Sequence, residues 1–166
     1  MKEKANPTYD KDGILGTVEA KIRAIVESLG EDVSYQFCNW AQANIALDKV
    51  AKPTVVYVLP PSGTLHFSWR EVTDSPNAQI AFVAPTDFDF DGSKNDGIIE
   101  AMKRLCIRFI RAVNASGYFG ELADNLPYQV LYDYLDQNVT GIVVSPTLDE
   151  EHGVNLCSEP MRMETE

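Results

Sequence analysis

Apolar residues recur every three or four positions in two stretches of the chain, residues 14–29 and residues 95–116. This spacing places them on one side of a helix, so it predicts two amphipathic helices. Gly30 and Gly117 follow the two stretches directly, where a helix commonly ends. The apolar stripe of the second, longer helix is formed by Ile98, Met102, Leu105, Cys106, Phe109, Ile110 and Val113.

Other stretches alternate apolar and polar residues or are rich in β-branched residues, and both patterns predict strands. Residues 41–50 fit either a short helix or a crossing loop, and residues 154–157 fit a short edge strand. The predicted strands cover residues 33–39, 54–59, 65–70, 78–84, 128–135 and 139–145, the last two forming a hairpin around the polar turn 136–138.

Helices and strands are segregated along the chain, which predicts an α+β fold. We expect a single mainly antiparallel β-sheet packed against two α-helices, with a closing β-hairpin. The chain has 166 residues, 45% of them hydrophobic, which suits one domain with a substantial core. This domain is predicted over residues 14–157, between a flexible N-terminal segment 1–13 and a flexible C-terminal tail 158–166.

Composition excludes several classes of protein. No apolar run approaches the roughly 20 residues that cross a bilayer, so no membrane partner is expected. The polar N-terminal segment lacks the apolar centre of a signal peptide. Three cysteines, an odd number without metal-type spacing, argue against a disulfide framework and fit a reducing cytoplasm.

The net charge of −11 is unevenly distributed. No Lys or Arg occurs between Val113 and Met161, and this acidic part disfavours nucleic-acid binding. It forms either a solvated surface or a surface that meets a basic one on a second copy. The acids are Glu121, Asp124, Asp133, Asp136, Asp149, Glu150, Glu151 and Glu159, and the basic cluster on the second helix is Lys103, Arg104, Arg108 and Arg111.

One acidic turn opens like an EF-hand calcium loop, with Asp87, Asp89 and Asp91 at alternate positions before a glycine. The twelfth position of such a loop supplies a bidentate Glu, and here it is Ile98. An EF-hand also begins with a helix, whereas a predicted strand precedes this turn. The acids are therefore interpreted as a turn that helps to start the second helix, and no metal or cofactor is assigned.

Candidates for catalysis are few. Cys38 and His66 lie on the polar faces of two predicted strands and would form a minimal nucleophilic unit if those strands were adjacent. No residue that would orient the histidine is identifiable. Cys106 is interpreted as a small buried hydrophobic residue and His152 as a surface residue. No sequence motif for nucleotide binding, metalloprotease or thiol redox chemistry is present, so we expect no enzymatic activity.

Three tyrosines lie on one face of a predicted strand. They form either a stacking platform or, as we expect, a sheet face packed on a helix. They are Tyr128, Tyr132 and Tyr134.

The order of elements resembles a known group of proteins. A leading helix and an aromatic strand are followed by the segments KPTVVYVLP, IAFVAPTDFDFDG, IIEAMKRLCIRFIRAV and YQVLYDYLDQNVTGIVVSPTL. From about Ile14 to Cys157 the chain resembles the small neck and tail-completion proteins of tailed bacteriophages, the tail-terminator group in particular.

The resemblance implies a non-enzymatic structural protein of a phage or prophage. Such proteins form homo-oligomeric rings, commonly hexamers, that terminate the tail tube and join it to the head connector. The implied partners are therefore other copies of the chain, tail-tube protein and head-connector protein. The implied location is the virion, assembled in the bacterial host cytoplasm, and the family supplies no catalytic residues.

A ring needs two different, matching surfaces on each subunit. We expect the basic cluster on the second helix to meet acidic residues of the next copy. The predicted interface comprises Lys103, Arg104, Arg108, Arg111, Asp133, Asp136, Asp149, Glu150 and Glu151. Two alternatives remain. One is a small cytoplasmic ligand-binding or regulatory α+β domain, with or without an incidental cation near Asp87, Asp89 and Asp91, and the other is an enzyme that uses Cys38 and His66.

Overall fold

A computed structural model describes residues 17–47, 51–59, 61–69, 72–86, 92–134 and 138–149. It contains three helices, α1 (Val18–Glu27), α2 (Trp40–Ala46) and α3 (Gly92–Ser116). Its strands are β1 (Ser34–Cys38), β2 (Thr54–Val58), β3 (Ser62–Phe67), β4 (Val72–Asn77), β5 (Ile80–Pro85), β6 (Tyr128–Tyr134) and β7 (Val139–Val144).

Five strands form the main sheet in the order β1-β2-β5-β7-β6. β1 and β2 are parallel, and the other neighbouring pairs are antiparallel. The parallel pair requires a crossover, and α2 lies in the connection between its strands. β3 and β4 form a separate antiparallel hairpin, here called the arm, inserted between β2 and β5.

The central strands of the main sheet are covered on both faces. All residues of β2 and β7 are buried, as are the first four of β5. Strands buried on both sides are nearly continuous apolar runs, and TVVYV and VTGIVV follow that rule.

α1 and α3 cover one face of the sheet. Ile22 and Val26 of α1 and Phe109 of α3 are almost completely buried in the larger core cluster. Phe109 meets Phe82 of β5 edge to face, with ring centroids 5.5 Å apart. The helical stripes predicted from the sequence therefore face the sheet.

α2 covers part of the opposite face. Asn39 accepts a hydrogen bond from the backbone of Gln42 at 2.8 Å, and the Gln42 side chain accepts one from the backbone of Asn39 at 3.2 Å. This reciprocal capping box stabilises the start of the helix. Residues 41–46, which the sequence fitted to either a short helix or a loop, are therefore helical. Ala43 and Leu47 then pack in the smaller core cluster.

The predicted α+β class is confirmed, with additions. The sheet is mixed, a third helix is present, and the arm forms a second, two-stranded sheet. β4 was not predicted because its sequence, VTDSPN, has no apolar alternation and contains a proline. The predicted segments 1–13, 154–157 and 158–166 lie outside the described residues.

We predict that Gly141→Ala destabilises the protein by about 2–4 kcal/mol because the new methyl group overlaps backbone. A Cβ atom at this position in β7 would lie 1.9 Å from the carbonyl oxygen of Phe82 and 2.9 Å from Cα of Val83. Urea unfolding measures the change. Gly97→Ala is the control: no atom lies within 4 Å of its added Cβ, and alanine in α3 stabilises by about 0.5–1 kcal/mol. Equal urea midpoints for the two variants would contradict the packing described here.

Candidate functional site

Metal-binding geometry is not found in the part of the chain that the structure describes. No group of three or more His, Cys, Asp or Glu side chains is placed there to hold an ion. Asp87, Asp89 and Asp91 lie outside the described residues. At the borders of that acidic turn, the Thr86 hydroxyl donates to Oδ1 of Asn95 at 3.1 Å, which ties the end of β5 to the first turns of α3.

The structure does not pair Cys38 with His66. Cys38 ends β1 and is buried in the smaller core cluster. His66 lies on the exposed strand β3 of the arm, and its Nε2 is 3.0 Å from the hydroxyl of Ser75 on β4. The two residues have different neighbours, so this geometry gives the thiol no base.

Neither described thiol is activated. Burial raises the pKa of the Cys38 thiol and raises that of Cys106 to about 11. The thiolate is the reactive form, and its population falls as the pKa rises. Cys106 lies on the core-facing side of α3, as its position on the apolar stripe predicted.

A cleft of about 660 Å³ lies between the start of α1, the β1–β2 edge of the sheet and the base of the arm. Its floor includes Phe37 and Tyr57, whose rings stack with centroids 4.9 Å apart. Two carboxylates, Glu19 and Asp74, line its walls. Burial, with these carboxylates nearby, raises the pKa of Tyr57. The cleft is aromatic and negatively charged, and its volume is in the range of small-molecule sites.

One carboxylate of the cleft is already engaged. Glu19 accepts hydrogen bonds from the Arg23 guanidinium at 2.6 Å and from the Tyr35 hydroxyl at 3.2 Å. Asp74 forms no ion pair with any residue in the described ranges. The cleft therefore presents mainly one carboxylate beside two aromatic rings.

Large apolar side chains stand exposed on the arm. All six residues of β3 are exposed. Leu65 is 50% exposed, Phe67 78% and Trp69, just beyond the strand, 92%. These three residues alternate along the chain and are called the arm patch.

A second exposed apolar surface lies on β6, at one edge of the main sheet. Tyr128 is 49% exposed, Val130 36% and Tyr132 53%, and these residues are called the edge patch. Lys103 of α3 places its ammonium 5.1 Å from the centre of the Tyr128 ring. The expected packing of these tyrosines on a helix holds in part: Tyr128 contacts Lys103 of α3 and stays half exposed, and Tyr132 is exposed. The side chain of Tyr134 lies outside the described residues.

The basic cluster of α3 is partly engaged within the chain. Lys103 pairs with Glu100 at 2.7 Å, and Arg108 donates to the backbone carbonyl of Leu29 at 2.6 Å, at the end of α1. Arg104 and Arg111 are exposed, and neither pairs with an acid in the described ranges.

Of the predicted acidic partners, Asp149 is exposed. The side chains of Asp133, Asp136, Glu150 and Glu151, and the residue His152, lie outside the described part of the chain.

Comparisons add no family to this geometry. No protein-family model, curated protein or solved structure matches the chain. Across the residues with described structure, no helix has the length and hydropathy to span a membrane.

Sequence reasoning missed the exposure of the arm patch. The alternation of Leu65, Phe67 and Trp69 predicted a strand of the single expected sheet, but the strand belongs to the separate two-stranded sheet of the arm. A signal for this was present: turn-forming residues, Pro60-Pro61-Ser62-Gly63 and Asp74-Ser75-Pro76-Asn77, lie on both sides of this short stretch.

We predict that Cys38 and Cys106 resist alkylation in the native protein. In a Cys157→Ser background, iodoacetamide at pH 8 should label the folded chain at least about 100-fold more slowly than the urea-unfolded chain. Burial and raised thiol pKa values are the physical reason. Intact mass against time measures the rate, and rapid labelling of native Cys38 would revive the catalytic hypothesis.

Proposed function

We propose that this protein is a non-enzymatic assembly protein whose copies join through two different apolar surfaces. The observation that carries the proposal is the presence of both the arm patch and the edge patch on one chain. The arm is inserted between β2 and β5, whereas β6 lies at the sheet edge beyond β5 and β7. One surface of a subunit is therefore available to meet the other surface of its neighbour.

The size of the arm patch supports a binding role. Its two aromatic side chains, Phe67 and Trp69, are 78% and 92% exposed. Together they present on the order of 300 Å² to solvent. This is the size of the largest apolar patch on a typical soluble monomer, about 300–600 Å², and such a patch is often functional.

Two unlike surfaces give a head-to-tail contact. Such a contact generates a ring when the rotation between subunits closes and a filament when it does not. We propose a closed homo-oligomeric ring, with a hexamer as the number that the family resemblance suggests.

The resemblance to tail-terminator proteins supports a more specific role. In this proposal the ring ends the tail tube of a phage or prophage and joins it to the head connector. It is assembled in the host cytoplasm and remains in the virion. The net charge of −11 fits a ring through which DNA passes without binding.

In the proposed contact, only part of the predicted basic cluster on α3 contributes charge. Arg104 and Arg111 are the members of the basic cluster that remain available to a neighbouring subunit. Arg108 is tied to the end of α1, so changing it would disturb the subunit itself.

The aromatic cleft favours a second candidate, a small ligand-binding or regulatory domain. Asp74 beside Phe37 and Tyr57 would suit a small organic cation. Such a domain has no need for an exposed arm patch and would remain monomeric. Oligomeric state therefore separates the two candidates.

We predict that the double variant Phe67→Ser/Trp69→Ser weakens self-association about tenfold or more, because aromatic side chains dominate interface energies. Sedimentation velocity over a concentration series measures the effect. The change should leave thermal stability nearly unaltered, since both side chains are exposed.

Ile45→Ser is the matched control for this variant. Ile45 is also 78% exposed, but it lies on α2, outside both patches. Equal self-association of the control and the arm variant would contradict the proposed role of the arm.

We predict that Arg111→Glu weakens self-association about two- to fivefold at low salt, because surface charge pairs contribute modestly and are screened. The control is Lys94→Glu, which makes the same charge change elsewhere on α3. Sedimentation at low and high salt should show a difference between the variants only at low salt. Identical behaviour at low salt would remove the basic cluster from the interface.

A further inference from the structure

We propose that strand β3 of one copy adds to the free edge of β6 in the next copy, so that the arm patch and the edge patch form one apolar layer. This inference rests on the proposed function, since it specifies how the subunits of the assembly join. It names a second copy of this chain as the occupant of the β6 edge.

The arm offers a strand with an open side. Among the described strands, β3 pairs with β4 and with no other. Its remaining edge therefore presents backbone N–H and C=O groups that another strand can pair with. Phe67 and Leu65 project from the same face of this strand because side chains alternate along it.

β6 offers a complementary edge. In the described sheet it pairs with β7 on one side and has no strand on the other. Its sequence, YQVLYDY, contains no lysine or proline and a single charge. The irregularity in its pairing lies between Leu131 and Tyr134, so residues 128–131 form a regular open edge that can pair with another chain. Natural proteins generally leave such an edge unguarded only where something covers it.

The two strands match in length and chemistry. β3 has six residues and β6 seven, so each spans about 20 Å. Pairing them would place Leu65 and Phe67 beside the edge patch on one face. Contacts between aromatic and aliphatic side chains on neighbouring strands are among the favourable cross-strand pairs.

The arm is held away from its own β6 by its base. The Asn77 side chain accepts a hydrogen bond from the Thr147 hydroxyl at 2.8 Å, and the backbone of Leu148 donates to Pro76 at 2.8 Å. These contacts fix the end of β4 to the segment after β7. Two strands, β5 and β7, separate the root of the arm from β6 in the main sheet. A partner for β6 is therefore supplied by the arm of a different copy.

The charge near the two surfaces is compatible with this pairing. Lys103 lies over Tyr128 at one end of the edge patch. The described part of the arm contributes one charged side chain, Asp74. A lysine beside one surface and an aspartate on the other favour contact between unlike surfaces over contact between like ones.

Cross-linking between two differently labelled copies tests the inference. In a Cys157→Ser background, one population carries Leu65→Cys or Phe67→Cys, and a mass-tagged population carries Val130→Cys or Tyr132→Cys. The two populations are mixed at low concentration. The mixture is then concentrated and mildly oxidised. Paired strands bring Cα atoms within the 4.4–6.8 Å that a disulfide spans, and the four pairings sample the registers that place the arm patch beside Val130 or Tyr132. Ile45→Cys replaces the arm cysteine in the control.

We expect mixed disulfides to exceed the Ile45→Cys control about tenfold or more in at least one pairing. Oligomers without enrichment in any of the four pairings would overturn docking of the arm on β6 and leave the assembly function standing. Enriched arm-to-arm disulfides would also overturn it, because they indicate contact between like surfaces. A monomer at every concentration would overturn both the docking and the proposed function.

Discussion

The structure depends on the burial of three central strands on both of their faces. Residues of β2, β5 and β7 point into core clusters above and below the sheet, so the fold needs cover on each side. α1 and α3 provide one layer, and α2 provides part of the other. Gly141 marks how closely the central strands approach, because a side chain there would overlap the backbone of β5. Because the helices pack mainly over the central strands, most of the edge strand β6 and the arm lie outside the helical layers.

This division explains why the candidate functional surfaces lie where they do. Residues of the core are committed to packing, and the described thiols are buried among them. The apolar side chains that remain exposed fall mainly on the arm and on β6. The proposed heterologous contact between these two elements would account for both exposures at once. Cys38 and His66, the candidate catalytic pair, have different neighbours in the described structure.

The sequence correctly predicted the helices and strands whose spacing of apolar residues matches the side chains that are buried in the structure. The stripe through Met102 and Phe109 and the β-branched run of β2 both face the core as expected. β4 was missed because it forms as the second strand of a hairpin with β3, while its own sequence, VTDSPN, has no apolar alternation. The exposure of Phe67 could not be predicted from alternation, which places residues on one face of a strand without showing whether anything covers that face. Likewise, the contact of Arg108 with Leu29 joins residues far apart in the chain.

The most direct test of assembly is the mass of the unaltered protein in solution, measured by light scattering after size exclusion at increasing concentration. The account predicts a species several times the 18.5 kDa of one chain, favoured as concentration rises. A mass of 18.5 kDa throughout the concentration series would contradict it.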